Sequence, residues 1–259
     1  MIRLETIHAP KVDVQVLTGG EGPDLLFLHG AGGLLAEDPL LNALAERFRV
    51  HAPLLPGYGD SEECHEIRDM LDFTLHTHDV MTALGLVKPM VVGHSMGGMM
   101  AAELAAVMPN DVDRLALICP AGLWLDEHPM PDIFAMVPYE LPAVLFHDVE
   151  AGAAMMTAGA DFSDLDFLQR FLVQNARQLG MAGKILFPIP DRGLAERLYR
   201  IKAKTLLIWG ASDRLTPLPY ADAFRQGIAH SELVVIPEAG HMVPLEQTAR
   251  VVEAIGRLA

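Results

Sequence analysis

The stretch Met90-Val91-Val92-Gly93-His94-Ser95-Met96-Gly97-Gly98 decides the fold of this chain. Its apolar run, residues 90–92, predicts a buried strand, and the alanine-rich residues 99–108 predict the helix that follows. Ser95 stands at the break between them. Glycines two positions before and two positions after the serine remove the Cβ atoms that would clash in so sharp a turn. The turn exposes the hydroxyl at the start of a helix, which makes Ser95 a candidate nucleophile.

Other short apolar runs end, like this one, at a turn residue. They are residues 25–28 before His29-Gly30, 49–55 before Pro56-Gly57, 115–119 before Pro120, 206–209 before Gly210 and 233–236 before Pro237. Runs that are apolar on both faces are typical of a parallel sheet covered by helices. Residues 3–8 and 12–17 alternate and indicate an antiparallel edge hairpin. The pattern predicts an α/β protein with a mostly parallel, eight-stranded sheet and helices on both faces.

One segment, residues 123–202, breaks this rhythm. It contains recurrent prolines and amphipathic pieces such as residues 166–173, with no clear strand. We therefore predict a core domain of residues 1–122 and 203–259, with residues 123–202 as a helical cap inserted between two strands. Methionines cluster in this cap and would suit an apolar pocket roof, although methionines at helical spacing usually fill ordinary packing contacts.

Composition excludes several classes of protein. The chain has 259 residues, of which 51% are hydrophobic, and a formal net charge of −15. Such a chain buries a large core, and its charge argues against binding a nucleic acid. Two cysteines, Cys64 and Cys119, are too few for a disulfide framework, and no apolar stretch has membrane-spanning length. We expect a cytoplasmic protein without a membrane span; its oligomeric state is left open.

A serine hydroxyl needs a base, and the base needs a partner that fixes its tautomer. Two residues at predicted strand ends offer these groups. Asp213 follows the run at 206–209, and His241 follows the run at 233–236. Ligands of open α/β sheets meet the carboxyl ends of the strands, so Ser95, Asp213 and His241 are expected to meet there.

The chain resembles the α/β-hydrolase superfamily in five segments that occur in the family's order. These are His29-Gly30-Ala31-Gly32-Gly33, Pro56-Gly57-Tyr58-Gly59-Asp60-Ser61, the turn at Ser95, Gly210-Ala211-Ser212-Asp213 and Gly240-His241. The resemblance covers nearly the whole chain and implies a catalytic triad of Ser95, Asp213 and His241. It implies neither an organic cofactor nor a metal ion. Asp126, after the strand that follows the serine turn, and Glu238 are alternatives to Asp213.

The same resemblance implies an oxyanion hole made of two backbone N–H groups. One belongs to Met96, directly after the nucleophile, and the other to Ala31, with Gly32 as the alternative donor. We expect His29 to order the loop that carries Ala31.

Other histidines receive no catalytic role at this stage. His94 should point away from the hydroxyl of Ser95. The group His76, His78 and Asp79 resembles a metal cluster, but residues two apart on a helix point to different faces.

The resemblance favours one reaction over others. Residues 240–246 are similar to the corresponding motif of general esterases and enol-lactone hydrolases, and a serine nucleophile excludes the branches that use aspartate or cysteine. We predict a carboxylesterase that cleaves small to medium acyl esters or lactones, with a small apolar ester as its substrate. One alternative is a carbon–carbon bond hydrolase of ring-cleavage products. That branch has tryptophan where this chain has Met242 and uses a cap arginine, for which Arg170, Arg177 and Arg192 are counterparts. The other is a hydrolase-fold receptor that binds a small ligand without turnover.

Overall fold

The computed structural model describes residues 2–35 and 37–259. Within them, eight strands form a single sheet. The strands are β1 (Arg3–His8), β2 (Asp13–Gly19), β3 (Asp24–Leu28), β4 (Arg49–Pro53), β5 (Met90–His94), β6 (Arg114–Ile118), β7 (Lys204–Gly210) and β8 (Ser231–Ile236). The helices are α1 (Pro39–Leu44), α2 (Met70–Ala83), α3 (Met96–Val107), α4 (Leu141–Leu145), α5 (Val149–Thr157), α6 (Leu165–Leu186), α7 (Pro219–Gly227), α8 (Val243–Glu246) and α9 (Thr248–Leu258).

The order of the strands places the site. The sheet runs β1-β2-β4-β3-β5-β6-β7-β8. Strand β2 pairs antiparallel with both β1 and β4, and all pairs from β4 to β8 are parallel. The chain moves outward from β3 to β4 and then returns to β5, which pairs with β3 on its other side. Strand order therefore reverses between β3 and β5, and ligands of open α/β sheets bind outside the carboxyl ends of strands at such a point. The predicted α/β fold and the edge hairpin are confirmed.

Two groups of helices cover the sheet. Helix α1 packs with α8 and α9, whereas α2 packs with α3. Helix α3 also packs directly on β3, β5 and β6, and this close approach is possible because half of its residues are glycine or alanine. The strands β5 and β6 are buried almost throughout, as their continuous apolar runs predict.

The insertion (residues 119–203, between β6 and β7) contains helices α4, α5 and α6 and two short 3-10 helices. Asp148 and Asp164 accept hydrogen bonds from the first N–H groups of α5 and α6, which fixes where these helices begin. The amphipathic residues 166–173 lie in α6, which is longer, at 22 residues, because its apolar face continues to Leu186. The division into a core and a cap at residues 123 and 202 stays a prediction.

Helix boundaries differ elsewhere by a few residues from the sequence expectation. Residues 41–47 have an apolar face at helical spacing, which predicts the first helix there. Helix α1 instead begins at Pro39, because Asp38 caps it, and ends at Leu44. Among the described residues, none of the helices combines the length and the apolar character that crossing a bilayer requires.

Candidate active site

Ser95 occupies a strained turn between β5 and α3. Its φ of 56° lies in the left-handed region that non-glycine residues avoid. A Cβ atom on Gly93 would lie 2.3 Å from the carbonyl oxygen of Gly97, and one on Gly97 would lie 2.0 Å from that of Leu28. Real Cβ atoms never approach backbone so closely, so both positions require glycine. The predicted steric reason for the Gly-x-Ser-x-Gly pattern is confirmed.

Ser95, His241 and Asp213 form a continuous chain of hydrogen bonds. The Oγ of Ser95 lies 2.8 Å from Nε2 of His241, and Nδ1 of His241 lies 2.9 Å from Oδ2 of Asp213. His241 and Asp213 are buried, whereas Ser95 is partly exposed. The arrangement can pass the hydroxyl proton from Ser95 to the imidazole while the two partners stay shielded from water.

Asp213 is held as a carboxylate. Burial alone would raise its pKa, but the charge of His241 and hydrogen bonds from His241 and Thr216 outweigh it, so the pKa of Asp213 is lowered. The carboxylate accepts from the N–H groups of Leu215 and Thr216 at 2.9 and 2.8 Å and from the Thr216 hydroxyl at 2.8 Å. Its remaining lone pair faces Nδ1 of His241, so that nitrogen carries the proton.

Thr216 is a site residue that the sequence analysis missed. Its hydroxyl bridges Asp213 and Nδ1 of His241, which lies 3.2 Å away. Trp209 donates from Nε1 to the carbonyl of Thr216 at 2.7 Å and fixes this turn on β7. A hydroxyl residue three positions after an aspartate is a signal for such a turn, because the side chain and the backbone N–H reach the same carboxylate.

The loop after β3 presents the N–H of Ala31 by holding the carbonyl of the same peptide group. The oxygen of Gly30 accepts from Nδ1 of His29 at 2.8 Å and from the N–H of Gly33 at 3.0 Å. Because a trans peptide directs its N–H opposite to its C=O, these bonds set the direction of the Ala31 N–H. Tyr58 donates to the Ala31 carbonyl at 3.0 Å and fixes the next peptide. Gly32, the alternative donor, is exposed.

His29 orders this loop as expected, and its tautomer follows from its partners. Nδ1 faces the Gly30 carbonyl, which can only accept, and Nε2 accepts from the N–H of Leu55 at 3.2 Å. Nδ1 therefore carries the single proton. Burial lowers the pKa of His29 to about 4, although the bond to Gly30 acts in the opposite direction, so the imidazole is neutral near pH 7.

Met96 opens helix α3 and is fully buried. The N–H groups in the first turn of a helix have no intrahelical acceptor and carry the positive end of the helix dipole. The carbonyl of Ser95 already accepts from Met99 and Ala121, which fixes the peptide that joins Ser95 to Met96.

The two alternative acids lie away from His241. Asp126 is exposed and accepts from Nε1 of Trp124 at 3.0 Å. Glu238 is exposed in the turn after β8. The structure therefore brings Asp213, rather than either alternative, to the imidazole.

His94 contacts the backbone of His241. Its Nε2 lies 2.9 Å from the His241 carbonyl and donates to it, since a carbonyl can only accept. Burial, and then the neighbouring His241, lower the pKa of His94 to about 3. The expectation that His94 has no catalytic role remains a prediction. The residue nevertheless holds the backbone of His241, a positioning contact that sequence reasoning missed.

Two groups of side chains have the residue types of a metal site. His76 is buried in α2, whereas Nε2 of His78 lies 3.2 Å from Asp111, so these two histidines serve different surroundings. The ligand atoms of Cys119, Asp213 and His241 all lie within 4.8 Å of one another. Burial, and then the charge of Asp213, raise the pKa of the Cys119 thiol well above its usual range, so it is a neutral S–H beside Asp213 and His241, which are bonded to each other.

A mostly apolar cleft opens above Ser95. Trp124, Met130, Phe134, Leu186 and Leu215 line it, together with Thr216 and Asp132 at its polar positions. Most of these residues belong to the insertion, as an apolar pocket roof requires. Asp132 is the one charged residue among the described residues that line the cleft.

Comparison with known proteins gives the family. The profile of the alpha/beta hydrolase family matches residues 25–254. A pimeloyl-[acyl-carrier protein] methyl ester esterase of Chromobacterium violaceum is 30% identical, with 87% of this chain and 90% of that protein covered. An uncharacterized protein of Mycobacterium tuberculosis is 28% identical, with 99% of this chain and 80% of that protein covered.

A solved structure, the meta-cleavage product hydrolase of Pseudomonas fluorescens, superimposes with a TM-score of 0.80 at 23% identity over 98% of each chain. This likeness shows the fold. The family profile spans most of the chain, and the sheet order and the serine turn agree with it. The chain therefore belongs to the alpha/beta hydrolase family.

Proposed function

We propose that this protein is a serine esterase that cleaves neutral, apolar carboxylic esters through an acyl-enzyme. The observation that carries the proposal is the hydrogen-bonded chain Ser95–His241–Asp213, whose serine faces an apolar cleft. The esterase of Chromobacterium violaceum supports an ester substrate by its name.

Acylation begins with His241 as the general base. His241 Nε2 takes the proton of Ser95 as Oγ attacks the carbonyl carbon of the ester, and the carbonyl π electrons move to the oxygen. The N–H groups of Ala31 and Met96 stabilise this oxyanion. The tetrahedral intermediate collapses, its bond to the alkoxy oxygen breaks, and His241 returns the proton to the departing alcohol. Asp213 stabilises the imidazolium throughout.

Deacylation repeats these steps with water. His241 takes a proton from a water molecule, whose oxygen attacks the acyl carbon bound to Ser95. The bond to Oγ breaks, the acid leaves, and Ser95 recovers its proton from His241. Each cycle consumes one ester and one water and releases one acid and one alcohol.

The charge of the cleft argues for neutral substrates. Asp132 stands in the lining, and Arg170, Arg177 and Arg192, the candidates for the arginine of a carbon–carbon bond hydrolase, are not among the described lining residues. Arg177 pairs with Glu63 at 2.9 Å, and Arg192 donates to the carbonyls of residues 187, 189 and 191. Arg170 is exposed on α6. A cleft with this lining offers a carboxylate-bearing dienoate no counter-charge, which favours esterase over carbon–carbon hydrolase.

A comparison of the wild-type protein with Ser95→Ala tests this function. Hydrolysis of p-nitrophenyl acetate and butyrate should fall by at least about 10³-fold in the variant. A fluorophosphonate should add its mass to the wild-type peptide that contains Ser95. Ser163→Ala is the matched control, because this exposed serine in the insertion loop bonds only locally to Asp161.

Three results would contradict the proposal. Equal rates for wild type and Ser95→Ala would remove Ser95 as the nucleophile. Cleavage of a ring-cleavage dienoate with no cleavage of any ester would make the protein a carbon–carbon hydrolase. Labelling of Ser95 without turnover of either class would favour a receptor.

A further inference from the structure

The backbone on both sides of His241 is bound to one short segment of the insertion, residues 143–147, which we call the anchor segment. Directly after the histidine, the N–H of Met242 donates to the carbonyl of Leu145 at 2.9 Å. Directly before it, the N–H of Gly240 donates to Glu246 at 2.7 Å, and the other oxygen of that carboxylate accepts from the N–H of His147 at 2.8 Å. Glu246 therefore links Gly240 to the anchor segment.

The residues on both sides of Asp213 contact the same segment. The Oγ of Ser212 lies 2.8 Å from Nδ1 of His147. On the other side, a single nitrogen of Arg214, Nη1, donates to the carbonyls of Ala143 and Phe146, each at 3.0 Å. The loops that carry the acid and the base thus share one partner, although they follow different strands.

The contact between the anchor segment and the loop of His241 is tight. A Cβ atom on Gly240 would lie 2.7 Å from the carbonyl oxygen of Leu145 and 2.9 Å from the nitrogen of His147. The anchor segment is also fixed to the rest of the insertion, because buried Phe146 packs against Gly152 of α5 so closely that a Cβ there would lie 2.3 Å from its ring. A displacement of the anchor segment must therefore move these loops or break these bonds.

From this geometry we infer that the anchor segment aligns His241 with Asp213 and Ser95, and that Glu246 and Arg214 are positioning residues for the reaction. The inference rests on the proposed function. Neither side chain touches the hydrogen-bonded chain of Ser95, His241 and Asp213. Each acts by fixing the backbone beside it, and hydrogen bonds with one ionised partner are strong enough to do so.

The test compares Arg214→Ala, Arg214→Lys and Glu246→Ala with the wild-type protein on p-nitrophenyl butyrate. We expect each alanine variant to lower kcat about tenfold or more with KM within about twofold, because alignment rather than substrate binding is lost. Lysine should recover part of the lost kcat, since its ammonium keeps the charge and can donate to these carbonyls from a side chain that is one bond shorter. The matched controls are Arg225→Ala and Glu253→Ala, two exposed residues of local ion pairs on α7 and α9.

A second readout reports alignment directly. The Nδ1 proton of His241, held against Asp213, should give a downfield proton NMR resonance that broadens or disappears in the alanine variants and returns in Arg214→Lys. Unchanged kcat and an unchanged resonance in folded Arg214→Ala and Glu246→Ala would overturn the inference, as would equal losses in the two controls. If Glu246→Ala does not fold, the comparison of Arg214→Ala with Arg214→Lys tests the inference alone.

Failure of the proposed function looks different. If the wild-type protein hydrolyses no ester, the proposed esterase function is wrong. The alignment of His241 can then still be measured in every variant, by the proton resonance and by the rate of fluorophosphonate labelling at Ser95.

Discussion

Nε2 of His94 donates a hydrogen bond to the main-chain oxygen of His241 at 2.9 Å. His94, which directly precedes Ser95, therefore fixes the backbone of His241, the residue whose imidazole is hydrogen-bonded to Ser95. The two imidazole centroids are 5.1 Å apart, and the low pKa of His94, about 3, keeps it a neutral donor beside His241. One strand end thus supplies both the proposed nucleophile and a support for its base.

Removal of this support should slow the reaction. We expect His94→Ala to lower kcat/KM about tenfold, while His94→Gln, whose amide can donate to the same carbonyl, keeps most of it. Steady-state kinetics on p-nitrophenyl butyrate provide the measurement, with exposed His65→Ala as the control. Equal losses in folded His94→Ala and His94→Gln would show that the hydrogen bond to His241 is unimportant.

Thr216 should contribute to both stability and activity. Thr216→Val keeps the shape of the side chain but removes the hydroxyl that donates to Asp213. We expect a loss of roughly 1.5–3 kcal/mol in the free energy of unfolding and a lower kcat/KM, because a buried carboxylate loses a partner. Thr216→Ser retains the donor and should stay near wild type. Urea denaturation and kinetics of the two variants would decide, and identical behaviour of valine and serine would contradict the prediction.

The free energy of unfolding should fall in mild acid. His29 and His76 have pKa values lowered to about 4 by burial, so their neutral forms belong to the folded state. As the pH falls below the ordinary value of 6.5, the unfolded chain takes up protons first and stability is lost until the folded pKa is reached. Each histidine should contribute a loss of roughly 2 kcal/mol between about pH 7 and about pH 5.

His76→Leu isolates one of these contributions. His76 lies in α2, away from Ser95, and its Nδ1 has no partner among the described residues, so leucine should remove the titration without removing a hydrogen bond at that atom. Urea denaturation at both pH values should show a smaller acid loss in the variant. The same pH dependence in both proteins would rule out His76 as a source.

Replacement of Gly97 and of Gly32 by alanine should affect stability differently, although both glycines lie in glycine-rich motifs of the sequence. A Cβ on Gly97 would meet the Leu28 carbonyl at 2.0 Å, whereas a Cβ on Gly32 would meet no atom of the described structure within 4 Å. We expect Gly97→Ala to lower the free energy of unfolding by several kcal/mol or to prevent folding, because backbone atoms must move. The free energy of unfolding of Gly32→Ala should lie within about 0.5 kcal/mol of the wild-type value. Thermal unfolding tests this, and a folded Gly97→Ala of wild-type stability would contradict the packing of α3 on β3.

Asp132 should select against anionic esters. Its Oδ1 accepts from the N–H of Phe134 at 2.9 Å, so Asp132→Asn keeps the turn while removing the charge. We expect kcat/KM for mono-p-nitrophenyl glutarate to rise a few-fold in the variant, with little change for neutral p-nitrophenyl butyrate, because an exposed charge acts weakly through water. Equal changes in kcat/KM for both esters would contradict the prediction, because they would show that the charge of Asp132 does not select between substrates.

The fold and the sharp turn at Ser95 could be predicted because their signals are local. The glycines around Ser95 are demanded by backbone contacts within the turn and with the adjacent β3, and the runs of β5 and β6 are apolar because both faces are covered. Asp213 and His241 were identified by their place after strands and by family resemblance.

The supports of the site could not be predicted, because they join residues that only the folded sheet brings together. His94 and the carbonyl of His241 are 147 positions apart in sequence. In the sequence, Asp132 does not differ from the other acidic residues, and only the folded insertion brings it to the cleft above Ser95. Arg214 and the anchor segment show no pattern of their own, since most of their partners are backbone groups and any sequence supplies those. Glu246 lies in the motif of residues 240–246, but that motif does not reveal that its carboxylate binds the N–H of His147.

The anchor segment also limits how this protein can be recombined. If the insertion were exchanged with that of a relative at residue 123, the graft would replace the partner of Met242, Glu246 and Arg214 together with most of the cleft lining. A junction placed after His147 would transfer α5, α6 and the cleft residues Leu186, Pro188 and Pro190. The anchor segment that aligns His241, and the lining from Trp124 to Phe134, would stay in place. For the purpose of building chimaeras, the first part of the insertion belongs with the sheet.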